Sequence, residues 1–230
     1  LAQCPNYGHV KRHMDMMKQN CYRLLRLINN LIDITKMDAG FMNMNFKNRD
    51  IVKVIEDITL SVADYANFYD IELVFDTEVE ERIVACDGDK LERVILNLLS
   101  NALKFTDKGG RIDVNIYNHP DFIEVSVKDN GIGIPEDMTN IIFDRFRQVD
   151  SSLRRKREGS GIGLSLVKSL VEAHGGEISV HSELDSGTEF LIKLPARQLE
   201  GSDGVLEEAA AAGQHSNVER INIEFSDIYS

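Results

Sequence analysis

The chain has 230 residues, of which 43% are hydrophobic and 28% charged, as expected for one sizeable soluble domain with a small additional element. A formal net charge of −12 argues against general binding to nucleic acid or to an anionic membrane surface. The longest apolar runs fall short of the roughly 20 residues that a membrane span needs, and no signal peptide is visible. We expect a cytoplasmic region without direct membrane contact, whose parent protein can still be membrane-anchored.

The three cysteines, Cys4, Cys21 and Cys86, are widely separated and form no Cys-x-x-Cys pair. This spacing indicates reduced thiols rather than a zinc site or a disulfide framework. The sequence begins with Leu1 rather than methionine, which favours a fragment of a longer protein.

The first predicted element is one long helix from about Val10 to Asp38, with Gly40 as its C-cap. Its apolar face is broad, which fits a helical bundle better than a two-stranded coil. We expect a partner helix, either outside this sequence or from a second chain. Steps of three and four residues define two neighbouring seams: Cys21, Leu25, Ile28, Ile32 and Thr35, and Leu24, Leu27, Leu31 and Ile34.

Helices and strands then alternate along the chain. Asp50 is the predicted N-cap of a helix that reaches about Tyr69. Two further helices are predicted at 87–105 and 163–174, and strands at 71–76, 82–86, 111–117, 122–128, 177–182 and 188–194. This order predicts an α+β fold, a two-layer sandwich in which helices cover one face of a mixed sheet. Near the end, Ile221–Phe225 alternates like a strand and is interpreted as an edge strand or a docking peptide.

Polar residues share one face of the helix predicted over 87–105. Asn97, Asn101 and Lys104 follow each other at spacings of four and three. An amide oxygen is a good ligand for Mg²⁺, and a lysine one turn further on can meet a phosphate oxygen. On this segment alone, a solvated polar stripe is an equally good interpretation.

A second motif, Asp129-Asn130-Gly131-Ile132-Gly133-Ile134-Pro135, directly follows a strand. The two glycines let the backbone approach a flat ligand, and the carboxylate can accept a hydrogen bond from an exocyclic amine such as that of adenine. Ile132 and Ile134 offer an apolar wall. An ordinary turn is the simpler alternative for this motif in isolation.

A third motif, Gly159-Ser160-Gly161-Ile162-Gly163-Leu164, opens a helix whose N-terminal N–H groups can bind phosphate. It lacks the Gly-Lys-Ser/Thr ending of a Walker loop and the setting of a dinucleotide fingerprint. A basic stretch precedes it, and we interpret that stretch as a lid over phosphates rather than a solvated face. Its members are Arg145, Arg147, Arg154, Arg155, Lys156 and Arg157, following Phe143.

In this order, the motifs resemble the N, G1, F and G2 boxes of the histidine-kinase catalytic domain, and Ser186-Gly187-Thr188 resembles its third glycine box. The likeness covers about Asp50 to Pro195 and implies the Bergerat ATP-binding fold, shared with gyrase, a heat-shock chaperone and mismatch-repair ATPases. The helix at 17–38 resembles the second helix of the family's dimerisation and histidine-phosphotransfer domain.

The resemblance implies a set of roles in binding ATP and Mg²⁺. Asp129 would hold the adenine amine, with Thr188 supporting it, and Asn101 would be the main metal ligand, with Asn97 beside it. Lys104, Gln148 and lid arginines such as Arg154 would meet the phosphates, and Phe143 and Phe146 would anchor the lid. The pocket and the phosphate cradle would comprise Gly131, Gly133, Ile134, Gly159, Gly161, Ile162, Gly163 and Leu164.

The sequence departs from the family's pattern at the phospho-acceptor. None of the six histidines is followed by an acidic residue, a basic residue, Thr and Pro. The implied reaction is transfer of the ATP γ-phosphoryl group to a histidine of a dimerisation domain and then to a response regulator, in a protein that forms homodimers through its helical domain. The predicted parts are an incomplete helical domain at 1–45, the catalytic domain at 46–196 and a linker with a tail at 197–230.

Two other functions are alternatives to a histidine kinase. A self-contained ATPase of the same superfamily would usually place a water-activating glutamate one turn before Asn101, where this sequence has Asn97. A non-catalytic nucleotide-binding or dimerisation module would be expected to lose a glycine of the motifs or Asn101, and the sequence keeps them all.

Overall fold

The computed structural model describes residues 7–147, 161–200 and 214–228. The helices are α1 Tyr7–Asp38, α2 Ile51–Ser61, α3 Ala63–Phe68, α4 Gly88–Phe105, α5 Glu136–Thr139, α6 Gly163–Ala173 and α7 Gln214–Glu224. The strands are β1 Lys47–Asp50, β2 Glu72–Thr77, β3 Ile83–Cys86, β4 Arg111–Asn118, β5 Phe122–Asp129, β6 Glu177–Glu183 and β7 Gly187–Pro195.

The main sheet has five strands in the order β2-β4-β5-β7-β6. The outer pair β2 and β4 is parallel and the other neighbours are antiparallel, so the sheet is mixed, as predicted. Antiparallel β1 and β3 form a separate two-stranded sheet. Strand β1 is not predicted from the sequence, because Lys47-Asn48-Arg49-Asp50 has no apolar alternation.

The core lies between one face of this sheet and the helices that cover it. Alternate residues of β4, β5 and β7 are buried on that face, for example Val114, Val125 and Ile192. They belong to the same apolar cluster as residues of α2, α4 and α6 such as Ile55 and Leu98. The predicted two-layer α+β sandwich is therefore confirmed.

Side-chain caps fix the starts of two helices, as the sequence predicted for the first of them. The Asp50 carboxylate accepts hydrogen bonds from the Val52 and Arg82 amides, both at 3.1 Å. Asp87 caps α4 by accepting from the Lys90 amide at 3.2 Å. The helix predicted up to Tyr69 is instead broken into α2 and α3 at the fully buried Val62.

Helix α1 has two different faces. The predicted seams are largely exposed, with Leu24 58%, Ile28 52% and Leu31 51% accessible, so their partner helix is not supplied by the described part of this chain. The opposite face is polar, and it is buried against the rest of the molecule through Arg26 and Asn30. No described helix is both long and apolar enough to cross a membrane.

The strand predicted at Ile221–Phe225 is wrong, because residues 214–224 form helix α7. Its alternating apolar pattern is too short to separate a strand from a helix. Ile221 in the helix and Phe225 directly after it lie one turn apart, and both are buried. The segment docks against α1 and α4.

Candidate functional site

Asp129 ends the central strand β5 and is only 6% exposed. Its Oδ1 accepts a hydrogen bond from the Gly131 amide at 2.8 Å, and the Thr188 backbone N–H also donates to the carboxylate. Burial raises the pKa of this carboxyl to about 6, while the two backbone donors act in the opposite direction. No lysine or arginine among the described residues forms an ion pair with it. A buried acceptor without a cationic partner suits a neutral donor such as a ring amine.

The loop after Asp129 packs closely between α4 and the β6–β7 hairpin. A Cβ atom on Gly131 would lie 2.4 Å from the Phe105 carbonyl oxygen, and one on Gly133 would lie 2.0 Å from the Glu183 carbonyl oxygen. Gly133 also has a φ of +67°, which disfavours a side chain there. These two contacts explain why both positions are glycine. The first places the loop at the C-terminal end of α4, and the second places it against the end of β6.

The β6–β7 hairpin supports the same loop from its other side. Thr188 is the cross-strand partner of Asp129. Its hydroxyl lies 3.0 Å from Ser182 Oγ, which in turn accepts a hydrogen bond from the Ile134 amide at 2.8 Å. Ser182 is not predicted as a site residue, because a single serine within a strand carries no motif signal.

The three predicted polar residues of α4 occupy different environments. Asn101 is half-buried, and its amide forms no hydrogen bond with the described residues, so its oxygen can take a ligand. Asn97 is fully buried, and its amide is engaged at both ends, donating to Glu224 Oε2 at 3.1 Å and accepting from Arg26 Nη2 at 3.3 Å. Lys104 is 8% exposed, with Nζ 5.5 Å from the centroid of the Phe105 ring.

The glycine loop brings the start of α6 onto α4. A Cβ atom on Gly163 would lie 2.5 Å from Asn97 Oδ1, so a side chain at this position would displace the Asn97 amide. Gly161 has a φ of +67°, and its carbonyl accepts a hydrogen bond from the Phe146 amide at 2.8 Å. Ile162 is buried, and Leu164 packs on the apolar core.

The two phenylalanines predicted to anchor the lid behave differently. The Phe143 ring packs edge-on against Phe190, with centroids 6.3 Å apart. The Phe146 side chain is 68% exposed, so this residue is attached through its backbone bond to Gly161 rather than by burial of its ring. Gln148, Arg154, Arg155, Lys156, Arg157 and Gly159 lie outside the described residues.

Arg145 joins this region to the end of α1. Its guanidinium donates to both carboxylate oxygens of Asp38, at 2.6 and 2.5 Å. The hydrogen bond from Arg145 lowers the pKa of the Asp38 carboxyl. Because both partners are exposed, this pair positions the two segments more than it stabilises the fold.

Comparison with known proteins agrees with this geometry. Residues 86–198 match the family described as histidine kinase-, DNA gyrase B-, and HSP90-like ATPase. Hybrid signal transduction histidine kinase D of Dictyostelium discoideum is 37% identical over 193 residues, which cover 81% of this chain and 12% of that protein. The chain spans only 12% to 24% of the length of the first three curated relatives.

Two solved structures extend the likeness to three dimensions. The mycobacterial sensor histidine kinase MprB is 32% identical with a TM-score of 0.56, over 67% of this chain and 100% of that chain. Full-length ShkA in complex with AMPPNP is 25% identical with a TM-score of 0.71, over 80% of this chain and 38% of that chain. The chain therefore belongs to the histidine-kinase, gyrase B and HSP90-like ATPase family, as a histidine-kinase catalytic domain.

Proposed function

We propose that this chain is the ATP-binding catalytic region of a sensor histidine kinase. It transfers the γ-phosphoryl group of ATP to a histidine of a helical dimerisation domain, and a response regulator then takes the group from that histidine. The chain acts in the cytoplasm, within a homodimer formed through the helical domain. A relative of this chain is named a hybrid signal transduction histidine kinase, which supports the assignment.

The observation that carries the proposal is the buried carboxylate of Asp129. Its two donors are backbone N–H groups, and no lysine or arginine among the described residues forms an ion pair with it. The adenine amine would supply the missing donor. The ShkA neighbour was solved with the ATP analogue AMPPNP, which is consistent with this use of the fold.

The phosphate end of the nucleotide would lie towards α4 and α6. The amide of Asn101, which forms no hydrogen bond with the described residues, fits a hard cation, and bound Mg²⁺ would offset the charge of the β- and γ-phosphates. Asn97 stays a proposed second ligand, which would require its amide to leave Arg26 and Glu224. Lys104 and the N–H groups at the start of α6 would bind the phosphate oxygens.

The transfer itself asks this chain for positioning and charge compensation rather than for a covalent intermediate. The acceptor histidine nitrogen forms a bond to the γ-phosphorus as the bond to the β–γ bridging oxygen breaks. ADP then leaves with that oxygen. The acceptor belongs to a separate helical segment, because none of the histidines of this sequence has the acceptor context.

Replacing Asp129 by alanine tests the adenine contact. We expect the affinity for Mg²⁺-ATP to fall on the order of 100-fold, because a hydrogen bond to a charged group is lost from a buried site. Isothermal titration calorimetry measures the change. The matched control is Asp121→Ala. Asp121 is exposed and directly precedes β5, at the other end of the strand from Asp129, so this variant should bind ATP as the parent chain does. Equal affinity in all three proteins would remove the adenine assignment.

Phosphoryl transfer needs a second experiment. Incubated with radiolabelled ATP and a separately produced dimerisation domain that carries an acceptor histidine, the chain should place acid-labile label on that domain and none on itself. The Asp129→Ala variant should label neither. Acid-labile label on this chain alone would contradict the proposed acceptor.

A further inference from the structure

Residues 214–228, here called the C-terminal segment, occupy a groove formed by α1, α3 and α4. Phe225 is fully buried, and its ring centroid lies 5.1 Å from that of Tyr65. Tyr65 Oη also donates to Asn222 Oδ1 at 2.7 Å, and Tyr69 Oη donates to the Ile228 carbonyl at 3.3 Å. Burial of Ile221 completes the apolar part of this contact.

A carboxylate of the segment reaches the proposed metal-binding face of α4. Glu224 is 7% exposed, and its Oε2 accepts the hydrogen bond from Asn97 Nδ2. Ser100 Oγ donates to the Glu224 backbone carbonyl at 3.0 Å. The segment therefore contacts the residue one helical turn before Asn101.

The same carboxylate links α4 to α1. Arg26 Nε lies 2.9 Å from Glu224 Oε2, and Arg26 Nη1 lies 2.9 Å from Asp227 Oδ2. Arg93 of α4 pairs with Asp33 of α1, and its Nε is 3.8 Å from Glu224 Oε1. With the segment in place, Arg26 and Arg93 face three carboxylates, and Glu224 and Asp227, two of the three, belong to the segment.

The contact of the C-terminal segment with α1 and α4 contains more charged groups than are needed to hold the segment in its groove. A tail held only for stability needs its apolar side chains, because burying a carboxylate in a charge network is at best weakly stabilising. Here the Glu224 carboxylate accepts a hydrogen bond from the amide nitrogen of Asn97. It also pairs with Arg26, whose guanidinium donates to the oxygen of the same amide. The Glu224 carboxylate also places a negative charge beside the proposed position of the ATP triphosphate, and these like charges repel each other.

We propose that the C-terminal segment is an inhibitory ligand of its own chain, which docks on Asn97 and competes with Mg²⁺-ATP. The inference rests on the proposed function, since it requires nucleotide at this face of α4. Docking and nucleotide binding are then linked in both directions: each weakens the other by the same factor.

The test uses the full chain with Glu224→Ala and Phe225→Ser combined. These changes remove the carboxylate and the buried ring, so the segment should undock. We expect calorimetry to show the Mg²⁺ complex of a non-hydrolysable ATP analogue binding roughly 10-fold more tightly, within the usual range of allosteric coupling. The control is Val218→Ser, on the exposed side of the same helix, with the affinity of the parent chain. Circular dichroism verifies that each variant is folded.

A milder variant and a second measurement guard against a folding defect. Glu224→Gln retains a partner for Asn97 but loses the charge, and it should give an intermediate gain in affinity. In the parent chain, the analogue should speed hydrogen exchange of amides in 214–228. A synthetic peptide of residues 214–230 should lower the affinity of the double variant.

The outcomes separate this inference from the proposed function. Equal affinity in the parent chain and the double variant, with unchanged exchange of the segment, would overturn the inhibitory role and leave the kinase assignment standing. Weaker binding in the double variant would also overturn it, because Glu224 would then assist the metal. Absence of nucleotide binding from every protein, including the parent chain, would reject the kinase assignment and the inference with it.

Discussion

At the scale of single residues, the buried Asp129 carboxyl makes stability depend on pH. Its pKa is about 6 in the folded chain against an ordinary value of 3.8, because burial penalises the charged form. Between these values the folded chain binds more protons than the unfolded chain. The free energy of unfolding therefore falls as the pH rises through this window, by about 3 kcal/mol when the window is crossed completely.

Asp129→Asn should remove this pH dependence, because an amide carries no charge and keeps an acceptor oxygen for the Gly131 N–H group. Urea denaturation at pH 7.5 should show the variant more stable than the parent chain by up to about 3 kcal/mol, and at pH 4.5 by only about 1 kcal/mol. The exposed Asp121→Asn serves as control and should show no such gain. A variant that is less stable at pH 7.5 would contradict the effect of burial on this carboxyl.

Two glycines with left-handed backbone make it possible to distinguish the cost of backbone strain from the cost of lost close packing. Gly187 has a φ of +101°, and a Cβ atom on it would lie 2.0 Å from the Asp129 carbonyl oxygen, whereas Gly109 has a φ of +79° with nothing within 4 Å. Gly187→Ala should destabilise the fold by about 3 kcal/mol or more and weaken nucleotide binding. Gly109→Ala should cost only about 1 kcal/mol and leave binding unchanged. Urea denaturation and calorimetry measure both effects, and equal losses would show that packing at Gly187 is unimportant.

At the scale of elements, the helices and strands with long periodic patterns are the ones that the sequence predicts. Helix α4 combines a capping aspartate with an apolar stripe over 18 residues, and the strands β4 and β5 alternate clearly. Strand β1 and helix α7 were not predicted, because both depend on tertiary partners. Strand β1 pairs with β3, and α7 is shaped by the groove that receives Phe225.

The exposed seams of α1 make a prediction about association. Because Leu24, Ile28 and Leu31 are more than half exposed, the chain should self-associate at micromolar concentration. Ile28→Glu combined with Leu31→Glu should shift it to monomer in sedimentation velocity. Arg12→Glu, an exposed change outside both seams, is the control. A parent chain that stays monomeric at every concentration would show that α1 alone does not form the dimer interface.

At the scale of the whole molecule, the order of the motifs predicted which segments meet, and the contacts between them required the structure. Sequence spacing alone does not show that Gly163 lies against Asn97 or that Gly131 lies against the end of α4. The docking of α1 was also not predictable, because Arg26, Asn30 and Asp33 have the composition of a solvated face. They are buried because charged partners from α4 and the C-terminal segment meet them.

Strand β5 lies in the middle of the five-stranded sheet and is paired along its length with β4 and β7. The Asp129 carboxylate, which is proposed to recognise the base, thus lies on the strand where local unfolding is least frequent. The proposed phosphate contacts come from helix ends and loops. Substitutions should therefore be able to change the residence time of the nucleotide without changing the preference for its base. Changes near the phosphates should alter how long a nucleotide stays, while the choice of adenine over guanine stays with the rigid centre of the molecule.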